Sequence, residues 1–170
     1  PPGTSFEYSN LGYGILGRVI TNVAGTEYRE VVEGRLLAPL GMSSTAYREE
    51  DVDPERLAHG YVRRGDALVR EGRDGYGALA SMGGLYSTVD DLARSIAFFT
   101  DAYPSRSDAE DLAGAAPLRR STRREMQQVH RAFNVEIEGH APDAAPTASA
   151  GGYGFGLFVT QDSDLGRSEE

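Results

Sequence analysis

Between Leu11 and Ala24 an apolar residue recurs every four positions, at Leu11, Ile15, Val19 and Val23, and Leu16 and Ile20 widen the stripe. That spacing predicts an amphipathic helix over 11–24. Three glycines, Gly12, Gly14 and Gly17, lie inside it. Each costs about 1 kcal/mol of helix propensity against alanine. The expected return is the close approach of another backbone, so the fold must bring a second element against this helix. Asn10 stands where an N-cap belongs, and Gly25 where a helix stops.

The rest of the chain mixes helical and strand periods. A second helix is expected from about Glu27 to Ala38, capped by Thr26, with Tyr28, Val31, Val32 and Leu36 on its apolar face. Pro39 ends it, and Leu40-Gly41-Met42 turns the chain. Short strands are expected near Ala58–Val62 and Ala67–Arg70. Ser87 and Thr88 are both good N-caps, each with an aspartate three residues on. Asp90 and Asp91 complement the positive helix end. Val89, Leu92, Ile96 and Phe99 are the expected core face of that helix. Residues 101–118 read as a loop. Thr122 with Glu125 forms a capping box for a helix to about Ala132, with Met126, Val129 and Phe133 apolar. Residues 139–151 read as another loop. From Gly152 to Thr160, Tyr153, Phe155, Leu157 and Val159 alternate with Gly154, Gly156 and Phe158, a strand pattern with glycines where a backbone packs closely.

A chain of 170 residues can bury a core of its own. Its 17 basic and 26 acidic residues leave a net charge of −9, which argues against a nucleic-acid partner. No apolar run approaches the roughly 20 residues that cross a bilayer. Pro1-Pro2-Gly3 has neither the basic start nor the apolar stretch of a signal peptide, and compartment stays open. There is no cysteine, which excludes disulfides and thiolate chemistry. There is no lysine either: all 17 basic residues are arginine. No lysine of this chain can act as a base or Schiff-base amine.

The chemistry points to Tyr8-Ser9-Asn10. In an extended segment Tyr8 and Asn10 face one side and Ser9 the other. A phenol beside a carboxamide can handle a proton and a carbonyl group, the equipment of acyl transfer. Other candidates are weaker. Ser81 lacks the Gly-x-Ser-x-Gly elbow of a nucleophile. His59, His130 and His140 show no metal-ligand spacing, and Glu138 with His140 reads as a solvated loop. Arg119, Arg120, Arg123 and Arg124 read as a solvated helix face.

Pro2-Gly3-x-x-Phe6-x-Tyr8-Ser9-Asn10-x-Gly12-Tyr13 resembles the middle motif of the class C β-lactamase family, which takes in serine β-lactamases, D-alanyl-D-alanine carboxypeptidases, D-aminopeptidases and related esterases. Three further segments agree in order: Ala38-Pro39-Leu40-Gly41-Met42-Ser43-Ser44-Thr45, then Gly83-Gly84-Leu85-Tyr86-Ser87-Thr88 leading into Asp91-Leu92-Ala93, then Tyr153-Gly154-Phe155-Gly156-Leu157. The resemblance implies an α/β (α+β) fold of β-lactamase/transpeptidase type: a helical subdomain plus part of an antiparallel sheet. It implies acyl transfer through an active-site serine, with a small-molecule or peptide substrate and no cofactor. Tyr8 would move the nucleophile's proton, if a neighbouring lysine ammonium favoured its phenolate. Asn10 would hold the substrate carbonyl or orient that lysine. Gly83 and Gly84 would lie close to the substrate as backbone.

The family's other two motifs, Ser-x-x-Lys and a final Lys-Thr-Gly or His-x-Gly strand, are absent. Residues 1–170 are therefore expected to be a partial serine hydrolase domain, with the nucleophile before Pro1, the last strand after Glu170, and the remainder of the same polypeptide as partner. The alternatives are a non-catalytic binding or sensor module of the same fold, and an unrelated α/β domain.

Overall fold

The computed structural model describes residues 4–72, 75–103, 116–138, 147–162 and 166–169. Pro2 and Gly3, His140, and most of the two expected loops (104–115 and 139–146) lie outside them. The chain divides into two compact units, Ser9–Phe98 and Pro1–Tyr8 with Phe99–Glu170. Among the described residues no helix is long and apolar enough to cross a membrane.

The Ser9–Phe98 unit opens with α1, Asn10–Ala24. Its N-cap is Ser9 rather than the expected Asn10: Ser9 is extended (φ −138°, ψ 103°) and its Oγ accepts the Gly12 N–H at 3.0 Å. Gly25 ends the helix at φ 71°, its N–H donating to the Thr21 carbonyl. The apolar stripe is not the buried face. Leu11, Ile15, Leu16 and Val23 are each more than half exposed, and the buried positions are Gly14 and Gly17. They face a short 3-10 segment, Gly77–Met82. A Cβ on Gly14 would stand 2.7 Å from Leu79 Cδ2, and one on Gly17 2.5 Å from Ser81 Cβ. Gly14 and Gly17 thus admit a close neighbour, but through side chains and not the expected backbone, and Gly12 meets only its own cap Ser9.

The second helical stretch has nearly its expected length, but only its first half is α-helix. It is α2, Tyr28–Val32, running into a single π turn, Glu33–Leu37. Thr26 does not cap it. Instead Thr21 Oγ1 accepts the Tyr28 N–H at 3.1 Å, and the Thr26 hydroxyl donates to the Glu30 carboxylate. Leu37 is its buried side chain. A hairpin follows, β1 Tyr61–Arg64 and β2 Ala67–Arg70, turning at Gly65 with φ 62°. Helix α3, Val89–Thr100, starts after Thr88, whose Oγ1 accepts the Asp91 N–H at 3.3 Å. Its expected core face is wrong in part: Val89, Leu92 and Ile96 are exposed, while Asp91 and Phe98 are buried.

The other unit carries α4, Arg120–Met126, and a four-stranded antiparallel sheet in the order β3 Arg131–Glu138, β4 Thr147–Tyr153, β5 Phe158–Asp162, β6 Gly166–Glu169. The Thr122 capping box does not form. The N-cap of α4 is Arg119, three residues before Thr122, with no side-chain cap bond; the helix ends at Met126, and strand β3 takes the stretch from Arg131. The arginines are not a solvated face: Arg120 and Arg123 are buried on Asp101, with Nη2–carboxylate distances of 2.5 and 3.5 Å. The expected single strand over 152–160 is a hairpin. Tyr153 pairs with Phe158, and the Gly154 N–H donates to the Leu157 carbonyl at 2.9 Å. A Cβ on Gly152 or Gly154 would meet the carbonyl oxygen of Arg131 or of Gln128 at 2.9 Å. Gly154 thus marks the expected close backbone approach, while Gly156 is a turn residue with φ 82°.

Candidate active site

Tyr8 belongs to the sheet-bearing unit. The extended run before it lays alternate side chains on the sheet. The Phe6 ring sits 5.0 Å from Phe133 and 5.5 Å from Tyr153, and Tyr8 stacks on Phe158 at 6.4 Å with its ring nearly parallel. Tyr153 and Phe158, partners in register, meet edge to face at 4.8 Å. This cluster orients the Tyr8 ring by stacking and leaves the residue 65% exposed.

Asn10, Gly83 and Gly84 belong to the Ser9–Phe98 unit. Asn10 is the first residue of α1 and is exposed. Gly83 is extended (φ 164°), whereas Gly84 has φ 91°, a left-handed backbone that favours glycine. Tyr76 explains why Gly84 lacks a side chain. Its ring fills the space a Cβ would take, with Cε2 and Cγ at 3.0 Å. The Gly83–Gly84 backbone thus lies against an aromatic ring.

Three of the four segments that carry the resemblance are tied together within this unit. Ser81 Oγ donates to the Tyr13 carbonyl at 2.7 Å, which fixes the segment before Gly83 on α1. Ala46 and Tyr86 exchange both backbone hydrogen bonds, at 3.0 and 2.8 Å. Thr45 and Ser87 join through their hydroxyls at 2.8 Å. Beneath them sits Asp91, 1% exposed. Its Oδ2 accepts the Ser44 N–H and the Thr45 hydroxyl, both at 2.8 Å, and Arg94 meets Oδ1 at 2.7 Å. Burial pushes this carboxyl up, but the bonds from Thr45 and Ser44 and the Arg94 guanidinium outweigh it and hold it below the usual carboxylate range. Asp91 therefore stays ionised and clamps the 43–46 loop to α3.

The sequence places Asp91 at the helix end and in a segment of the family pattern, and the clamp is not legible from either. The signal was faint: a hydroxyl run, Ser43-Ser44-Thr45, and a second aspartate after Ser87-Thr88. No sequence pattern marks Tyr76. Ser81, weighed as a nucleophile, has its hydroxyl engaged on Tyr13.

The two units make a mixed helix and antiparallel-sheet protein of the β-lactamase/transpeptidase fold. The chain belongs to the Beta-lactamase family, whose model matches residues 1–168. It is 33% identical over 114 residues to Beta-lactamase-like protein 2 of Dictyostelium discoideum, an alignment that takes 66% of this chain and 20% of that protein. It resembles the octameric penicillin-binding protein homologue from Pyrococcus abyssi with a TM-score of 0.68 at 27% identity, over 93% of this chain and 31% of the other. The D-amino acid amidase from Ochrobactrum anthropi SV3 shares the fold with a TM-score of 0.60 at 20% identity, over 98% of this chain and 44% of the other. The chain thus spans about a fifth of the curated relative and less than half of these solved structures.

Proposed function

We propose that the protein containing this chain hydrolyses amide or ester bonds through an acyl-enzyme, and that residues 1–170 supply part of its active site. In this reading a serine from elsewhere in the polypeptide attacks the substrate carbonyl carbon, and its Oγ proton passes to the Tyr8 phenolate. The tetrahedral intermediate expels the amine or alcohol, which leaves with that proton. Water then attacks the acyl carbon, Tyr8 takes its proton and returns it to the serine Oγ, and the acid departs. Asn10 holds the carbonyl or orients a lysine, also supplied from elsewhere in the polypeptide, that favours the phenolate. The Gly83–Gly84 backbone borders the substrate.

One observation carries this reading. The family match over residues 1–168 includes a Tyr-Ser-Asn motif with an exposed phenol and an exposed carboxamide on either side of the capping serine. The amidase and penicillin-binding relatives favour an amide over an ester. The absence of lysine keeps a second reading, a non-catalytic binding or sensor module. The experiment assays the full protein with a chromogenic β-lactam, a p-nitrophenyl ester and a D-amino acid amide, and looks for an acyl adduct by mass spectrometry. Turnover with at least one substrate is expected, with kcat in Tyr8→Phe reduced about 10²–10⁴-fold. Neither turnover nor adduct, together with no Ser-x-x-Lys upstream in the reading frame, favours the binding module.

A further inference from the structure

The Ser9–Phe98 unit holds a cavity of about 430 Å³ whose lining includes the Gly84 backbone, Tyr47, Tyr76, Tyr86 and Arg29, together with Glu49 and Glu50. That volume is in the range that takes a small molecule. Its walls are aromatic: Tyr76 lies under Gly84, and Tyr86 is held in place by its paired bonds to Ala46. Tyr47 is fixed too, its hydroxyl donating to that of Tyr28 at 3.4 Å and their rings meeting edge to face at 5.9 Å. Burial and the Tyr28 hydroxyl push the Tyr47 phenol far above the usual tyrosine range, so this wall stays neutral.

The charges of the lining are unequal in use. Arg48 is engaged by Asp51, with Nε and Nη2 at 2.7 and 3.1 Å from the two carboxylate oxygens. Arg29 is half-buried, and no carboxylate among the described residues stands at ion-pair distance from it, although Glu33 follows four residues on. A guanidinium partly removed from water and with no counter-ion among the described residues favours a carboxylate, which it can bind bidentately. Glu50 is offset by Arg48 at 3.8 Å, and the negative charge that Glu49 and Glu50 add to the lining opposes any anion, a polyanion more than a monocarboxylate.

We propose that this cavity is a binding site for a small aromatic monocarboxylate, its carboxylate on Arg29 and its ring among Tyr47, Tyr76 and Tyr86. The site needs no nucleophile, so its occupancy is separable from hydrolysis. Binding of 3-phenylpropionate, 3-phenylpropionamide and inorganic phosphate to the full protein is measured by equilibrium dialysis or saturation-transfer NMR. The carboxylate is expected to bind at least about 10-fold more tightly than the amide, and phosphate not at all. In Arg29→Gln that preference is lost while amide binding is unchanged; in Tyr76→Ala both ligands weaken. Superimposable circular dichroism melts verify the variants. Equal affinity for carboxylate and amide in the unmutated protein, or binding of phosphate, overturns the assignment whatever the variants do. Hydrolysis without carboxylate binding refutes this site and spares the catalytic reading. Carboxylate binding without hydrolysis does the reverse.

Discussion

Gly84→Ala tests the link between backbone strain and pocket shape. At φ 91° an alanine is held in a conformation that costs an L-residue about 1–2 kcal/mol. Its Cβ also overlaps the Tyr76 ring, with Cε2 and Cγ at 3.0 Å. Overpacking of this kind costs about 1–3 kcal/mol, and the low end applies because Tyr76 is 48% exposed and can swing aside. The expected loss is about 2–3 kcal/mol, which for a protein of this size or larger lowers Tm by roughly 4–12 °C. Urea and thermal unfolding of the full protein measure it. The same substitution in a Tyr76→Ala background separates the two causes. With the ring gone only the backbone share remains, so the Gly84→Ala cost falls to about 1–2 kcal/mol. A loss below about 0.5 kcal/mol in the unmutated background, or one undiminished by removing the ring, refutes the reasoning.

Ser81→Ala removes the bond to the Tyr13 carbonyl and is expected to cost about 0.5–1.5 kcal/mol of stability while leaving kcat unchanged; a collapse of kcat at full stability would make Ser81 a reacting group. Asp91 is held below its unfolded pKa of about 3.9, so in the window between the two values the unfolded chain binds more protons. Its contribution to stability is complete above that unfolded value and fades as pH falls through the folded one. The urea midpoint of Asp91→Asn should vary less with pH between about 2 and 5 than that of the unmutated protein, and parallel curves would contradict the clamp. The 170-residue chain by itself should give no turnover above a heat-denatured control, since no Ser-x-x-Lys is present. The same isolated chain should self-associate through the exposed faces of α1 and α3; monomeric sizing with a sharp cooperative melt would count against that.

Local signals survived where local physics decides. The extent of α1 followed from its period and from Gly25, because a helix stop depends on the backbone of a few adjacent residues. The start of α3 followed from Thr88, whose hydroxyl reaches an N–H three residues away. The Ala67–Arg70 strand was legible, and its partner was offset by three residues at its start. The same kind of signal failed at Thr122 and over 152–160. An alternating run reads alike as one strand or as two strands joined at Gly156, where φ is 82°. Among the candidate residues, Tyr8-Ser9-Asn10 and Gly83-Gly84 were legible as a family pattern, while the capping role passed from Asn10 to its neighbour Ser9.

What the amino-acid order settled alone was therefore short-range: the extent of α1, the start of α3, the Ala67–Arg70 strand, the family pattern, and that residues 1–170 hold no lysine or cysteine. Which faces are buried was decided only by the tertiary structure. Periodicity shows that a helix has two unlike sides, but not which neighbour arrives. In α1 the neighbour came to the glycines, because only there could Ser81, 68 residues beyond Tyr13, approach closely enough to bond its carbonyl. Asp91 became a buried clamp, and not a solvated helix-end charge, because Ser44 and Thr45 reach it from 47 and 46 residues away. Burying a carboxylate is tolerable only with such partners, and they are assembled by the fold.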